Sequence, residues 1–246
     1  MRKIGIAVSK GGTGKTTTAV NLAAGLALAG QKVLLVDTDV QGQCSKALGV
    51  RPEAGLAEVI TEEADLDQAL HQARERLWLL AGGRALAGVK RLISRKDFGG
   101  ERTLSEALAP VEGLYDYVLL DTSPSYDVLN INGLFYCEEI LAPVSLEILT
   151  LLGLADFQRS LEDIQQYHDL RLRYVLPTFY DRRVSKSDEI LGQLKSHYQE
   201  ALCSPIRYNV RLSEAAGFGL TIFEYSPGSA GAEDYRRLVE EVADNA

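Results

Sequence analysis

Apolar and polar positions along the chain fall into two alternating patterns. Short, largely β-branched apolar runs occupy residues 4–8, 32–37, 76–81, 115–121, 139–144 and 173–180, and each reads as a strand. Between and after them come segments with helical spacing. Residues 15–29 are rich in Ala and Leu and end at Gly30, a C-cap. Residues 146–167 form a long amphipathic pattern, 187–200 a shorter one and 232–243 a charged terminal one. The segment joining 115–121 to 139–144 has room for one more helix. This alternation predicts an α/β fold: three layers, α/β/α, with helices on both faces of a mostly parallel, twisted sheet. No linker, repeat or low-complexity stretch interrupts the pattern, so residues 1–246 are expected to form one domain. The Gly-rich stretch 82–100 is the segment expected to be a mobile or functional loop.

Composition acts mainly by exclusion. The chain has 246 residues, 46% hydrophobic and 24% charged, the balance of a soluble globular protein. No run of 18 apolar residues is present, so no membrane-spanning helix is expected. The N-terminus enters a strand and a Gly-rich loop at once, without the pattern of a secretory signal. Cys44, Cys137 and Cys203 are far apart and odd in number, which gives neither a disulfide framework nor a CxxC metal pair. They read as small buried hydrophobes in a reducing cytoplasm. The net charge of −8 argues mildly against a constitutive nucleic-acid binder.

Candidate chemistry begins after the first strand. Ser9-Lys10-Gly11-Gly12-Thr13-Gly14-Lys15-Thr16-Thr17 stands between a strand and a helix, the context a phosphate-binding P-loop requires. Its glycines let successive N–H groups curl around phosphate oxygens, and the helix N-terminus adds partial positive charge. Lys15 would reach the β- and γ-phosphates, Thr16 would hold Mg²⁺, and Thr17 would bind the α-phosphate. A second lysine, Lys10, opens the loop, and such a cation is costly without a phosphate beside it. After the second strand come Asp37-Thr38-Asp39-Val40-Gln41-Gly42. Ligand sites of open α/β sheets lie beyond the carboxyl ends of the strands, which puts both carboxylates at the nucleotide end. The hydrophobic strand Tyr115-Asp116-Tyr117-Val118-Leu119-Leu120 ends in Asp121, the Walker B pattern, and is followed by Thr122-Ser123-Pro124-Ser125. Asp121 would meet Mg²⁺ through water, because Mg²⁺ keeps much of its hydration shell.

The KGGTGKT loop resembles the deviant Walker A of the MinD/ParA superfamily of P-loop NTPases. That resemblance implies that Lys10 reaches the partner's nucleotide across an ATP-dependent homodimer. The segment 37–42 is similar to the family's D-x-D-P-Q-G, with Val40 at the proline. By position Asp39 is then catalytic, orienting the attacking water, and Asp37 lies near the Mg²⁺ shell. Later motifs narrow the resemblance to ParA/Soj-type partition ATPases: Pro177-Thr178-Phe179-Tyr180-Asp181-Arg182-Arg183, Asn209-Val210-Arg211-Leu212-Ser213-Glu214-Ala215, and Ile222-Phe223-Glu224-Tyr225-Ser226-Pro227. The family's proline near the adenine is Arg207 here. The expected nucleotide-binding set is Lys10, Gly11, Gly12, Thr13, Gly14, Lys15, Thr16, Thr17, Pro177, Thr178 and Arg207, with Arg207 stacking on the base. Catalysis falls to Asp39, Lys10 and Lys15, and Mg²⁺ to Thr16, Asp37 and Asp121.

Charge distribution refines the net value. Residues 171–211 hold eight basic and four acidic side chains, a local +4, and the remainder carries −12. The resemblance implies that Arg183 and Arg211, with Lys186 between them, belong to a non-specific DNA surface completed in the ATP dimer. Contacts to phosphates of this kind are sequence-independent and salt-sensitive. Lys90-Arg91 and Arg95-Lys96 would extend that surface. The expected protein is a weak, Mg²⁺-dependent ATPase in the cytoplasm, associated with the nucleoid. It would segregate a chromosome or plasmid complex and be stimulated by a ParB-like protein. An alternative is the same mechanism with another cargo, such as a carboxysome or chemoreceptor cluster, and a cargo adaptor as partner. A MinD-like membrane regulator is disfavoured, because the terminal helix has many acids and no bulky apolar face. An iron–sulfur reductase lacks the cysteines, a metabolic amidoligase lacks the C-terminal motifs, and no helix-turn-helix extension is expected before residue 4.

Overall fold

Five of the six apolar runs become the inner strands of a seven-stranded sheet, ordered β3-β4-β2-β5-β1-β6-β7, and the run at 173–180 becomes the edge strand β7. The computed structural model describes residues 1–244, apart from the side chains of Ile148 and Leu149. The strands are β1 (Arg2–Ile6), β2 (Val33–Asp37), β3 (Leu70–Arg74), β4 (Leu77–Leu80), β5 (Tyr117–Asp121), β6 (Glu139–Ser145) and β7 (Arg171–Thr178). The helices of the first half are α1 (Lys15–Leu28), α2 (Gln43–Ala47), α3 (Leu56–Ile60), α4 (Leu66–Ala69), α5 (Leu86–Ile93) and α6 (Thr103–Leu108). Those of the second are α7 (Val128–Tyr136), α8 (Ile148–Gln165), α9 (Ser185–His197), α10 (Val210–Gly217), α11 (Ile222–Tyr225) and α12 (Ala230–Asp244). All neighbouring strand pairs are parallel except β3–β4.

Inner strands β2 and β5 are buried at every position, as strands covered on both faces must be. Successive side chains go to opposite faces. Val33 and Leu35 join one apolar cluster with α1 and α12, while Leu34 and Val36 join another with α5 to α8. The three-layer α/β/α arrangement therefore follows from period-2 burial in the strands.

Register sets up the site. Residue Asp37 at the end of β2 lies directly opposite Asp121 at the end of β5, and Asp121 also faces Ile6 at the end of β1. The loop that leaves β1 thus starts beside two carboxylates.

The structure departs from the sequence reading at several places. Strand β3 was not expected. Its sequence, LHQAR, is too polar for a buried run, and it lies antiparallel at the sheet edge, after which the chain turns at Arg76 with φ 58°. Residues 82–100 are not simply a loop, because they contain α5, whose Leu86, Val89 and Ile93 are buried at helical spacing. Helices of four to six residues such as α2, α3 and α4 are too short for periodicity to reveal. The terminal helix α12 does possess a bulky apolar face: Tyr235, Leu238, Val239 and Val242 are all buried. The fold uses that face, so it is not open to a lipid surface. Among the described residues no helix is long and apolar enough to cross a membrane.

Close approach of α1 to α12 depends on the small residues of α1. A methyl group at Gly25 would lie 2.5 Å from Cγ2 of Val239 and 3.2 Å from the Phe223 ring. Alanine would gain up to about 1 kcal/mol of helix propensity there. Overpacking a rigid core typically costs about 1–3 kcal/mol. Gly25→Ala is therefore expected to destabilise the protein by about 1–2 kcal/mol, seen as a lower urea midpoint with an unchanged m-value. An unchanged or higher midpoint would show that the α1–α12 contact is loose.

Candidate functional site

The loop after β1 is built to receive an anion. Gly14 caps α1 with φ 89°, a left-handed conformation that suits glycine. No side chain caps this helix and its first turn holds no acid, so its free N–H groups and positive dipole end face the loop. Lys15 is buried, and its Nζ donates to the carbonyl oxygens of Lys10 (2.7 Å) and, more loosely, Val8 (3.4 Å). Burial lowers its pKa, and the charges of Asp121 and Asp39 act in the opposite direction. An ammonium so placed is short of counter-charge, which phosphate oxygens would supply.

Two carboxyls meet beside it. Asp37 and Asp121 are both fully buried. Oδ1 of Asp37 accepts from the Asp39 N–H (2.9 Å) and Oδ2 from the Cys44 N–H (3.0 Å). Oδ2 of Asp121 accepts from the Thr16 hydroxyl (2.7 Å) and the Cys44 thiol (3.3 Å), whereas its Oδ1 is buried without a hydrogen-bond partner. Burial first, and then the proximity of the other acid, raises Asp121 to about 7. Burial likewise raises Asp37 to about 6. Two crowded carboxyls, a threonine hydroxyl and an unpartnered carboxyl oxygen are hard donors that fit a Mg²⁺ ion.

Asp39 and Lys10 flank this centre. Asp39 is half-buried, and its Oδ1 accepts from the Gln41 N–H in a tight turn. Gly82 supports that turn from behind. A Cβ there would lie 2.7 Å from the carbonyl oxygens of both Asp37 and Asp39, so only glycine lets the two segments approach. Lys10 does not extend freely into solvent. Its Nζ donates to Thr150 Oγ1 (2.7 Å) and pairs with Glu147 (3.2 Å), at the start of α8. Glu147 is an exposed partner, and exposed ion pairs are weak and easily exchanged.

A cavity of about 420 Å³ runs from Gly14 and Thr17 to Thr178, Phe179, Tyr208 and α10. Its size suits a nucleoside. Thr178 fits the expectation, since its hydroxyl also holds the loop through the Thr13 carbonyl (2.9 Å). Pro177 sits one residue back in β7, buried, and its carbonyl accepts from Ile206. Phe179, at φ 56°, and Tyr208 line the cavity where Pro177 does not. Arg207 lines it too, but its guanidinium is bound to Asp234 (2.7 Å) and Glu233 (2.6 Å) on α12. Asp234 is buried and needs that partner, so Arg207 does not offer the free cation that stacking on a base was expected to use.

The basic stretch divides in space. Arg171 and Arg173 flank a groove at the start of β7, with Glu138, Glu139 and Asp169. The opposite end of that strand is about 23 Å away. Arg182 and Arg183 instead share a groove with Arg207 and Tyr208, which also form part of the nucleoside cavity wall. Arg183 pairs with Asp181 (2.7 Å), Lys186 with Glu189 (3.2 Å) and Arg211 with Glu214 (2.8 Å), all at the surface. Lys90 is bound to Asp127, which caps α7 next to Ser123–Ser125, so it is tied to the loop after β5.

Sequence reasoning passed over Gly82, Cys44, Glu147, Thr150, Phe179 and Tyr208. Glu147 follows the end of β6 and Cys44 opens the helix after Asp39, both at the carboxyl end of the sheet, where ligand sites form. That position was the available signal.

Residues 1–174 match the family described as an AAA domain. The chain is 41% identical to the chromosome-partitioning ATPase Soj of Thermus thermophilus, over 98% of this chain and 95% of that one. It is 35% identical to the chromosome partitioning protein ParA of Caulobacter vibrioides, covering 98% and 94%. Among solved structures, cobyrinic acid a,c-diamide synthase of Mycobacterium smegmatis with bound ADP and magnesium superposes with a TM-score of 0.85 at 31% identity, covering 100% and 95%.

The raised carboxyls make a prediction about stability. An unfolded aspartate ionises near 3.8, whereas Asp37 and Asp121 hold their protons to about 6 and about 7. The folded state therefore binds more protons than the unfolded state between those limits, and their contribution to stability falls as pH rises through the window. In metal-free protein, Asp121→Asn is expected to melt above wild type at pH 8, with the difference vanishing near pH 4. Thermal unfolding in a chelator across that range checks this. A constant difference would mean that Asp121 ionises normally.

Proposed function

The chain belongs to the ParA/Soj-type partition ATPases of the MinD/ParA superfamily, and from that premise we propose that it is an ATP-gated switch that grips DNA as a dimer and positions a partition complex. It hydrolyses ATP with Mg²⁺ as cofactor. The finer reading rests chiefly on one observation: the nucleoside cavity and the basic groove share Arg207 and Tyr208 as a common wall. Nucleotide on one side of that wall can thus bias the surface on the other.

In the mechanism, the uncapped end of α1 and the N–H groups of Gly11, Gly12, Thr13 and Gly14 hold the phosphates. Thr16 and Thr17 fix the phosphate chain from the first turn of α1, and Thr178 with Phe179 and Tyr208 borders the nucleoside. Thr16, with Asp37 and Asp121 through water, would hold Mg²⁺, which when bound neutralises phosphate charge. Lys15 exchanges its backbone carbonyls for β- and γ-phosphate oxygens. Lys10 leaves Glu147 and Thr150 to reach the nucleotide of the partner protomer, where phosphate is the stronger partner. Asp39 orients a water in line with the γ-phosphate. The water oxygen bonds to phosphorus as the bond to the ADP oxygen breaks, releasing ADP and phosphate. Catalysis is then mostly positioning and charge neutralisation. Loss of the γ-phosphate removes the ligand of Lys10, and the dimer opens.

Each dimer presents Arg183, Lys186 and Arg211 twice. Their acidic partners, Glu189 exposed and Asp181 and Glu214 partly covered, lie at the surface, where DNA phosphates can replace them. The relatives' names, which speak of chromosome partitioning, support a chromosome complex as cargo. A plasmid complex as cargo, a ParB-like protein as the stimulating partner and residence on the nucleoid complete the proposal. A MinD-like membrane role gains nothing from α12, whose apolar face is buried.

Gel shift of non-specific duplex DNA tests the switch. Retardation is expected with ATP and not with ADP or without nucleotide, and Asp39→Ala should hold DNA longest. Binding that ignores nucleotide would defeat the reading. Lys10→Ala is expected to bind ATP yet stay monomeric and off DNA in sedimentation, whereas Lys15→Ala should lose nucleotide itself. Joint replacement of Arg183 and Arg211 by Ala removes about four phosphate contacts per dimer, which should lower the log K against log salt slope by about 3–4. An unchanged slope would take these residues out of the interface.

A further inference from the structure

One side chain in the cation site has no part in the mechanism above. Cys44, in the first turn of α2, is fully buried, and its Sγ lies 3.3 Å from Oδ2 of Asp121. One ligand atom from each of Asp37, Cys44 and Asp121 lies within 4.8 Å of the others. Hydroxyl and carboxyl oxygens suit Mg²⁺, but sulfur does not, because Mg²⁺ is a hard cation and thiolate a soft donor. A thiol therefore adds nothing to Mg²⁺ binding and changes which other cations the site accepts.

We propose that Asp37, Cys44 and Asp121 form a binding site for a thiophilic divalent cation of the Zn²⁺ class, which holds the nucleotide-free protein and excludes Mg²⁺-nucleotide while bound. In a tetrahedral site with Zn–S of about 2.3 Å and Zn–O of about 2.0 Å, sulfur and oxygen stand about 3.5 Å apart. The Cys44–Asp121 separation is already close to that, and no spacing in the group needs to close by more than about 1.5 Å. Asp121 Oδ1, buried with no hydrogen-bond partner, is a second donor of the same carboxyl, beside the Oδ2 that faces Cys44. The backbone N–H of Cys44 bonded to Asp37 fixes the thiol against the carboxyl pair. Binding exchanges the thiol proton for the metal, Cys–SH + M²⁺ giving Cys–S–M⁺ + H⁺, and any proton still held by the Asp37 or Asp121 carboxyl leaves as well; all of them pass to solvent, with no change of oxidation state. One divalent cation, one thiolate and two carboxylates sum to −1, which the Lys15 ammonium offsets, since its charge already couples to Asp121. Such an ion takes the carboxyl oxygen that Thr16 uses, and so competes with the Mg²⁺ that accompanies nucleotide.

Cadmium is the probe, because its bond to thiolate gives an ultraviolet charge-transfer band. Chelator-stripped, nucleotide-free protein is titrated with Cd²⁺. One equivalent is expected to raise the band, Zn²⁺ to abolish it at similar concentration, and excess Mg²⁺ alone to leave it. Both Cys44→Ser and Cys44→Ala should lose it and bind Cd²⁺ about 100-fold or more weakly. A Cys137→Ala/Cys203→Ala double variant should keep it. Circular dichroism of each variant verifies folding. No band in wild type, a band surviving in both Cys44 variants, or one lost only in the double variant overturns the proposal. Binding of Mg²⁺-ATP, followed separately, reports on the ATPase reading: its failure leaves the cadmium result intact, and the cadmium result does not depend on it.

Discussion

Two carboxyls buried side by side are the constraint around which this molecule is arranged. Strands β2 and β5 are neighbours in parallel register, and that register sets Asp37 against Asp121 at the end of each strand. Without a cation, both acids hold protons far above the usual range, because burial and a neighbouring carboxyl, Asp39 for Asp37 and Asp37 for Asp121, disfavour the charged forms. The surrounding groups answer that strain. Thr16 and Cys44 donate to Asp121, backbone N–H groups of Asp39 and Cys44 donate to Asp37, and Lys15 stands close enough to favour ionisation of Asp121. A cation between the two carboxyls would relieve the same conflict by offsetting their charge.

Positive charge at this end of the sheet is held in reserve. The ammonium of Lys10 rests on Glu147 and Thr150, that of Lys15 on backbone carbonyls, and the guanidinium of Arg183 on Asp181. Apart from the buried Lys15 and Thr150 groups, the partners of Lys10 and Arg183 are solvent-facing or only partly covered, so their attachment is weak in water. A phosphate is a better partner than any of them. An acidic protein thereby keeps its cations satisfied when alone, and the proposed switch has them released to phosphate. Arg207 is the contrast. Its partner Asp234 is buried, so that pair braces α12 against the cavity wall and does not exchange.

Glycine performs two different tasks in the same framework. Gly25 permits α12 to pack on α1, and α12 in turn brings Tyr235 against Thr18 and the nucleoside cavity. Gly82 permits the chain after β4 to pass under the Asp37–Asp39 turn. In both places a single methyl group would separate the site from the layer that supports it.

The sequence by itself determined the layered fold, the glycine loop before α1 and the delivery of the carboxyls to one edge of the sheet. Those features are local: a buried strand needs a run of apolar residues, a phosphate loop needs consecutive glycines before a helix, and a strand end delivers its acid to a known edge of the sheet. Polar edge strand β3 and helix α5 inside the glycine-rich stretch were hidden, since one has no apolar run and the other is framed by residues that signal loops. Tertiary structure alone decided what each charge touches. Within the basic stretch, Arg171 and Arg173 lie at the start of β7 and Arg182, Arg183 and Arg207 beyond its other end, because a strand carries its termini apart. Arg207 was expected on the base and is bound to Asp234 instead, and a cysteine that reads as a core residue stands beside the cation site. Partners such as Asp234, 27 residues from Arg207, and Asp121, 77 residues from Cys44, meet only when the sheet closes, and no spacing along the chain encodes that meeting.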